Sequence, residues 1–265
     1  MTCCGIGLRA LNFVRRVMVA TLGLGAAAAA FAQQPQPLRY GVFESMGYPF
    51  FVAGSAGTSH TGLLIELGEA IARQLNMGLV AVPLPRRRAE PGLIQGQIEM
   101  LCYFSPTWSE HPDKLAWSSA MLPQVERVVA PKGGRMGNAP NWEFEGKRVA
   151  LQLGYHYPDL QRLVDRGKAV RVDQSKVALQ FRSLEIKMAD LLITSEGEIE
   201  GYFNDNPNAR SEFDVSRTAF SVTPTHCAIG RHSRLSVAEI DKAIARLQSS
   251  GDMDRMAKRY GMSAR

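Results

Sequence analysis

At 265 residues and 45% apolar content, the chain is long enough to bury a sizeable core, as one large domain or two small ones. Its net charge of +6 comes without a run of lysine and arginine interleaved with aromatics, which argues against a nucleic-acid partner. No pair of histidines stands four apart on a helix pattern and no nucleophile motif occurs, so neither a metal nor another cofactor is expected.

The N-terminus reads as a targeting segment. Arg9, Arg15 and Arg16 fall in residues 1–16 with no acid, Val17 to Phe31 is an unbroken apolar and small-residue run, and Ala30-Phe31-Ala32 fits a small-x-small cleavage site. The run falls short of the roughly 20 residues a spanning helix needs. Residues 1–32 are therefore expected to be a cleaved secretory signal, leaving an exported chain without a membrane anchor. Its removal lowers the charge to +3 and takes away Cys3 and Cys4, which precede the apolar run and do not fit a lipoprotein site. Cys102 and Cys227 remain in an oxidising setting, either as a pair or as two buried thiols.

A Gln/Pro linker, Gln33 to Pro37, leads into a strand, Leu38 to Phe43, whose exit carries Glu44 and Tyr48. Thr61 is placed to cap a helix in which Leu64, Leu67, Ile71 and Leu75 recur at helical spacing, ending near Asn76 and Gly78. Leu79 to Leu84 is the next strand. Arg86, Arg87 and Arg88 follow it; three consecutive side chains cannot all point one way, so either one or two face inward or the run is solvated. A short helix over Glu90 to Gln95, closed by Gly96, then precedes a buried strand, Ile98 to Phe104. The loop Ser105 to Lys114 carries Trp108, Glu110 and His111 just past that strand's carboxyl end, where open α/β sheets hold their ligands. Alternating strands and helices imply a parallel sheet covered by helices.

Beyond Trp117-Ser118, Glu126 to Ala130 is extended and Lys132-Gly133-Gly134 turns the chain. Gly146 to Gln152 reads as a strand, Gly154 to Tyr157 as a turn, and Pro158 as the first turn of a helix bearing Leu160 and Leu163. Such a turn presents backbone N–H groups that suit a carboxylate or phosphate. A short strand at Val170 to Val172, a helix with Ser175 as cap and a strand at Ala189 to Ile193 follow. Glu196, Glu198 and Glu200 read as a solvated acidic turn or helix. Residues 204–218 are polar and irregular, and Ala219 to Gly230 is extended. Ser236 and Glu239 form a capping box, Ile240, Ile244 and Leu247 line one helix face, and Met253, Met256 and Tyr260 mark a last helix after Gly251.

Three of these stretches are distinctive together: Pro85 to Ser118, with its order of helix, Gly-x-Ile-acid strand, proline-containing loop and hydrophobic-Trp-Ser exit; the helix GLLIELGEAIARQLNM; and the ending of helix, Ser-Gly-Asp-Met, helix, Arg-Tyr-Gly. They resemble the bacterial periplasmic solute-binding proteins of family 3, the polar amino-acid binding type, over about residues 38 to 262. The resemblance implies an α/β fold of type II with two lobes, residues 38–122 with 227–265 and residues 123–226, joined by two crossing strands that let the lobes close on a ligand. It implies a monomer that captures a small polar, carboxylate-bearing solute, an amino acid or analogue, and delivers it to an inner-membrane ABC permease without covalent chemistry.

In that family Glu44 and Tyr48 would line one wall of the cleft, although Tyr48 reads equally as packing beside a proline. Arg86 stands where an aromatic commonly stacks on the ligand; a guanidinium there favours a carboxylate. The loop position that usually grips the ligand's α-carboxylate with arginine reads His111, which makes capture pH-dependent or passes it to Arg86. Tyr103 and Phe104 replace small residues and would narrow the site or add stacking, beside Trp108. Gln152 and Tyr155 would face the cleft from the second lobe. The usual acceptor for the ligand's ammonium, an aspartate, reads Ser195, with Glu196 next to it. The family topology sets the strand of Cys227 beside that of Cys102, implying a disulfide. Two other functions fit the same scaffold. One is a periplasmic enzyme, since some relatives dehydrate cyclic carboxylates, with Glu44, Glu110, His111 or Glu196 as acid or base. The other is a ligand-sensing subunit for a membrane receptor.

Overall fold

The computed structural model describes residues 36–55 and 59–262. The expected signal segment, its cleavage site, Cys3 and Cys4 lie outside the described residues.

The first part of the molecule comprises β1 (Leu38–Phe43), α1 (Leu63–Gln74), β2 (Leu79–Leu84), α2 (Arg86–Ile94), β3 (Met100–Phe104) and β4 (Leu115–Trp117). β1 lies between β2 and β3 and is parallel to both, with Leu38 opposite Leu79 through to Phe43 opposite Leu84 on one side and Tyr40 opposite Met100 on the other. A strand covered on both faces must be nearly apolar throughout. Leu38, Tyr40, Val42 and Phe43 are accordingly buried, while Arg39 turns its side chain to Glu99. α1 buries Leu64, Leu67 and Ile71 against this sheet.

The chain then runs through β5 (Gln124–Pro131), β6 (Gly137–Asn138), β7 (Asn141–Trp142), β8 (Arg148–Gln152), α3 (Pro158–Asp165), β9 (Val170–Gln174), α4 (Val177–Glu185), β10 (Leu191–Ser195), α5 (Glu196–Asp205), β11 (Phe213–Val215) and β12 (Ser221–Thr223). These form a second sheet in the order β11-β5-β10-β8-β9, with β12 also on β5, and a separate β6-β7 pair. Each face of that sheet has its own core: Val128, Leu151, Leu160 and Ile193 on one, Phe181, Leu184, Ile199 and Phe203 on the other. Finally β13 (His226–Gly230) returns to the first sheet, antiparallel to both β3 and β4 and seated between them. α6 (Val237–Ser249) and α7 (Asp252–Arg259) complete the first core with Ile240, Ile244, Leu247 and Met253.

Several local expectations need correction. The arginine run does not precede the second helix; it opens it, because Pro85, extended at ψ 143°, hands the chain to a helix that starts at Arg86 and accommodates Pro91 inside. Thr61 does not cap α1: it bridges Val52 through two backbone hydrogen bonds, and Gly62 takes the cap position with no side-chain bond. Nor does Ser175 cap α4, whose cap position is Lys176, again without a side-chain bond. The acidic run after β10 is a helix, and Ser195 with Glu198 form a reciprocal capping box at its start. The second capping box, Ser236 with Glu239, is present as read. Gly96 closes α2 in the left-handed region at φ +73°.

Cys102 on β3 and Cys227 on β13 are joined by a disulfide that spans 125 residues of sequence and so encircles the whole second sheet. Loop-closure entropy for so long a loop corresponds to about 5 kcal/mol in the denatured state, against the typical 2–4 kcal/mol observed. The double variant Cys102→Ser/Cys227→Ser is expected to lower the melting temperature by roughly 5–15 °C in calorimetry. An unchanged melting temperature, or free thiols at both positions in the unreduced parent, would refute the bond.

Candidate functional site

Arg86 is the first residue of α2, and its guanidinium reaches across the gap between the two sheets. Its central carbon lies 4.5 Å from the centre of the Phe43 ring, 4.6 Å from that of Phe104 and 4.8 Å from that of Tyr155. Phe43 and Phe104 belong to the first sheet's strand ends and Tyr155 to the turn after β8, so the cation is gripped from both sides. Among the described residues its one hydrogen bond is a long one, 3.5 Å from Nη2 to the carbonyl of Trp108. Among the described residues, no carboxylate stands at ion-pair distance from it. Burial lowers the guanidinium's pKa, with Tyr155 and then Glu90 acting in the opposite sense.

Glu90, one turn further along α2, organises the loop after β3. Its carboxylate accepts from Ser109 Oγ at 2.9 Å and from the backbone N–H groups of Glu110 at 2.9 Å and His111 at 2.6 Å. The loop residues expected to face a ligand are thus pinned through their backbone, leaving the His111 side chain exposed. Nothing in the spacing singled out Glu90; an acid in a helix otherwise read as ordinary gave no signal of this role. Phe43 was likewise legible only as the end of a strand.

Three adjoining cavities follow the gap. One of about 500 Å³ is lined by Phe43, Arg86, Phe104, Trp108, Glu110 and His111. It shares Arg86 and Arg87 with a second of about 580 Å³, which adds Glu44, Gln152 and Lys176. A third, about 410 Å³, runs on from Glu44 and Lys176 to Tyr48, Glu198 and Tyr202. The structure therefore brings Glu44, Arg86, Phe104, Trp108, His111, Gln152 and Tyr155 together. Tyr48 lies farther along, 39% exposed, its ring edge-on to Tyr260 at 6.2 Å. Gln152 lines the middle cavity, but its side-chain amide is engaged, donating to the Ser175 carbonyl and accepting from Gln180.

Tyr103, Ser195 and Glu196 do not line these cavities. Tyr103 is fully buried behind them at φ +57°, its ring 4.9 Å from that of Phe50 and its hydroxyl without a partner among the described residues. Ser195 is occupied in capping α5. Glu196 pairs with Arg127, whose Nε lies 2.8 Å from its carboxylate, because the first turn of α5 aims it at β5 rather than into the gap. Two other acids are Glu198, buried, and Glu126, half-buried on β5. Glu198 accepts from Thr194 Oγ1 at 2.6 Å and Ser195 Oγ at 2.7 Å, and Glu126 from Ser221 Oγ at 2.6 Å. Burial raises the pKa of both, that of Glu126 to about 7.

The halves meet closely where α5 lacks side chains. A Cβ at Gly197 would stand 2.8 Å from the Phe50 ring, and one at Gly201 would stand 2.4 Å from the Tyr48 carbonyl oxygen. Glycines four apart give α5 a flat face against which the segment after β1 lies.

Two α/β sheets joined by two crossing segments, with cavities and a bridging cation between them, define a type II periplasmic-binding fold. The chain belongs to the bacterial extracellular solute-binding proteins, family 3, whose model matches residues 39–263. Similar solved structures include an ancestral arginine-binding protein bound to arginine, with a TM-score of 0.71 and 20% identity over 86% of this chain and 99% of that one. An arginine 3rd transport system periplasmic binding protein from Legionella pneumophila has a TM-score of 0.70 and 13% identity over 85% and 99%. A histidine kinase sensor domain with similarity to periplasmic binding proteins has a TM-score of 0.70 and 16% identity over 86% and 96%. No curated protein matches the chain. Among the described residues no helix is long and apolar enough to cross a membrane.

Two predictions follow from this geometry. A methyl group at Gly201 meets backbone that cannot rotate away, so Gly201→Ala is expected to part the segment after β1 from α5, raising the radius of gyration in X-ray scattering while circular dichroism stays unchanged. An unaltered radius would show that the contact absorbs the methyl. The second concerns pH. Glu126 holds its proton in the folded state up to about pH 7 but releases it near 4.5 when unfolded, so the folded state binds more protons in that window and stability falls as pH rises through it. Glu198 acts in the same direction. Glu126→Gln is expected to flatten, though not abolish, the decline in denaturant stability between pH 5 and 7.5; an identical slope in both proteins would show that Glu126 does not titrate there.

Proposed function

We propose that this chain is a periplasmic binding protein that captures a small polar solute through a carboxylate, an amino acid or analogue, and delivers it to an inner-membrane ABC permease. The observation that carries the reading is Arg86, a guanidinium sunk between the sheets with aromatic rings about it and, among the described residues, no acid in contact. A cation removed from water without a partner is costly, and a bound carboxylate would offset that cost through two parallel hydrogen bonds. Family membership supports solute capture, and the arginine held by the similar ancestral protein supports an amino acid or analogue.

The two lobes in this reading are residues 38–122 with 227–265 and residues 123–226. The boundaries fit the passage from β4 to β5 and the return from β12 to β13, where the chain leaves one sheet for the other. Cys102 and Cys227 would then brace the hinge side of the first lobe. Residues 1–32 act as the signal that exports the chain, and the mature protein works as a monomer without cofactor or covalent chemistry.

Thermal unfolding against a panel of amino acids, small carboxylates, amines and cyclic acids tests the proposal. A carboxylate ligand at 100 times its dissociation constant should add about 2.7 kcal/mol of stability and be recovered unchanged. Arg86→Gln should weaken that ligand by roughly 10- to 100-fold, the range for losing a hydrogen-bonded charge. Undiminished binding by Arg86→Gln, a response only to amines, or conversion of the compound would sink the reading.

A further inference from the structure

The third cavity along the gap, about 410 Å³, differs in charge from the two that hold Arg86. Glu44, Glu198 and Asp205 line it, and among the described residues Lys176 is the one base that does. Glu44, Asp205 and Lys176 stand exposed, whereas Glu198 is only 5% exposed.

The fold uses the two carboxylate oxygens of Glu198 unequally. Oε2 accepts from Thr194 Oγ1 at 2.6 Å, Ser195 Oγ at 2.7 Å and the Ser195 backbone N–H at 3.2 Å. Oε1 accepts no hydrogen bond among the described residues, and no cation there forms an ion pair with the side chain. The bonds to Oε2 belong to the capping box of α5, so they hold the side chain in place and leave Oε1 to the cavity. A buried carboxylate with an unanswered oxygen is costly. A neutral donor would satisfy Oε1 but leave the charge unbalanced beside Glu44 and Asp205, whereas an ammonium or guanidinium group does both.

Arg86 and Glu198 line no common cavity. Arg86 borders the first two and Glu198 the third, which joins the middle one through Glu44, Ser45 and Lys176. A ligand held by both therefore carries its charges at opposite ends. We propose that Glu198 Oε1 receives a cationic group at the far end of the ligand from the carboxylate on Arg86, so that the solute is an amino acid whose side chain ends in an ammonium or guanidinium. This rests on the reading of Arg86 as the carboxylate anchor and adds the residue that selects the side chain. Arg86 stands on α2 with the first sheet and Glu198 on α5 with the second, so such a ligand ties the halves together by an ion pair at each end.

Isothermal titration of the purified protein with lysine beside norleucine, and arginine beside citrulline, tests the assignment, because each pair differs chiefly in the terminal charge. In the pair that binds more tightly, the charged member should exceed the neutral one by about 10- to 100-fold, the range for a charged hydrogen bond. Glu198→Gln should remove that preference while leaving the neutral member's affinity unchanged, and Glu198→Asp, which keeps the charge and a cap acceptor, should restore part of it. Equal binding of charged and neutral members to the parent protein would overturn the proposal whether or not Glu198→Gln folds. A preference that survives in folded Glu198→Gln would place the cation elsewhere and overturn it too. In either case, neutral members that bind and are weakened by Arg86→Gln would leave the Arg86 anchor standing. Binding by none of the four would overturn the anchor, and the Glu198 assignment with it.

Discussion

The seating of β13 between β3 and β4 is the constraint on which the rest of the structure depends. A chain that leaves its first sheet after β4, builds a complete second sheet and then inserts a strand between two earlier ones must cross the gap twice. Backbone hydrogen bonds on both edges of β13 fix where those crossings lie. The disulfide between Cys102 and Cys227 sits in this same pairing, so it restrains the first sheet without bridging the gap. α6 and α7, which follow β13, finish the first core, so that sheet is complete only after the second has been made.

Two contacts across the gap are of contrasting character. At one place backbone meets helix through Gly197 and Gly201, a contact of shape alone. At the other a single cation meets rings contributed by both sides. Rings attract a guanidinium but do not neutralise it. Acids nearby could have done so, yet Glu90 is spent on the loop at residues 109–111 and Glu196 on Arg127. The positive charge is left for something else to answer.

Much of the fold was legible because it follows from pattern. β1 and β2 match their apolar runs residue for residue, the capping box at Ser236 lies where its two side chains require, and Gly96 takes the left-handed turn that its position demanded. Helix starts without a side-chain cap were harder. Thr61 and Ser175 have the right chemistry for caps, but each is drawn into another bond, one with Val52 and the other, through its carbonyl, with Gln152. The site was legible in part. Arg86, Phe104, Trp108 and Tyr155 converge as strand ends and turns of an α/β sheet suggest. Ser195 and Glu196 do not, because the sequence signal for a ligand-facing acid after a strand is the same as that for the first turn of a helix, and local capping decides between them. Glu90 could not be found at all from spacing, since its three partners lie about twenty residues away.

The placement of Arg86 also says how binding and closure would be coupled. A ligand shifts a conformational equilibrium only to the extent that it interacts differently with the two states. Arg86 rises from the first sheet, but Tyr155, which completes its enclosure, comes from the second, where a Cβ at Gly154 would stand 3.8 Å from the Arg86 Cγ. With the sheets apart, the guanidinium would be open to water, which would screen its attraction for an anion. With the sheets together that screening is lost, and the same attraction becomes stronger. A carboxylate on Arg86 would therefore favour the closed arrangement without needing a contact of its own with the second sheet. An uncharged ligand of the same shape would not, because it would leave the desolvated cation unanswered.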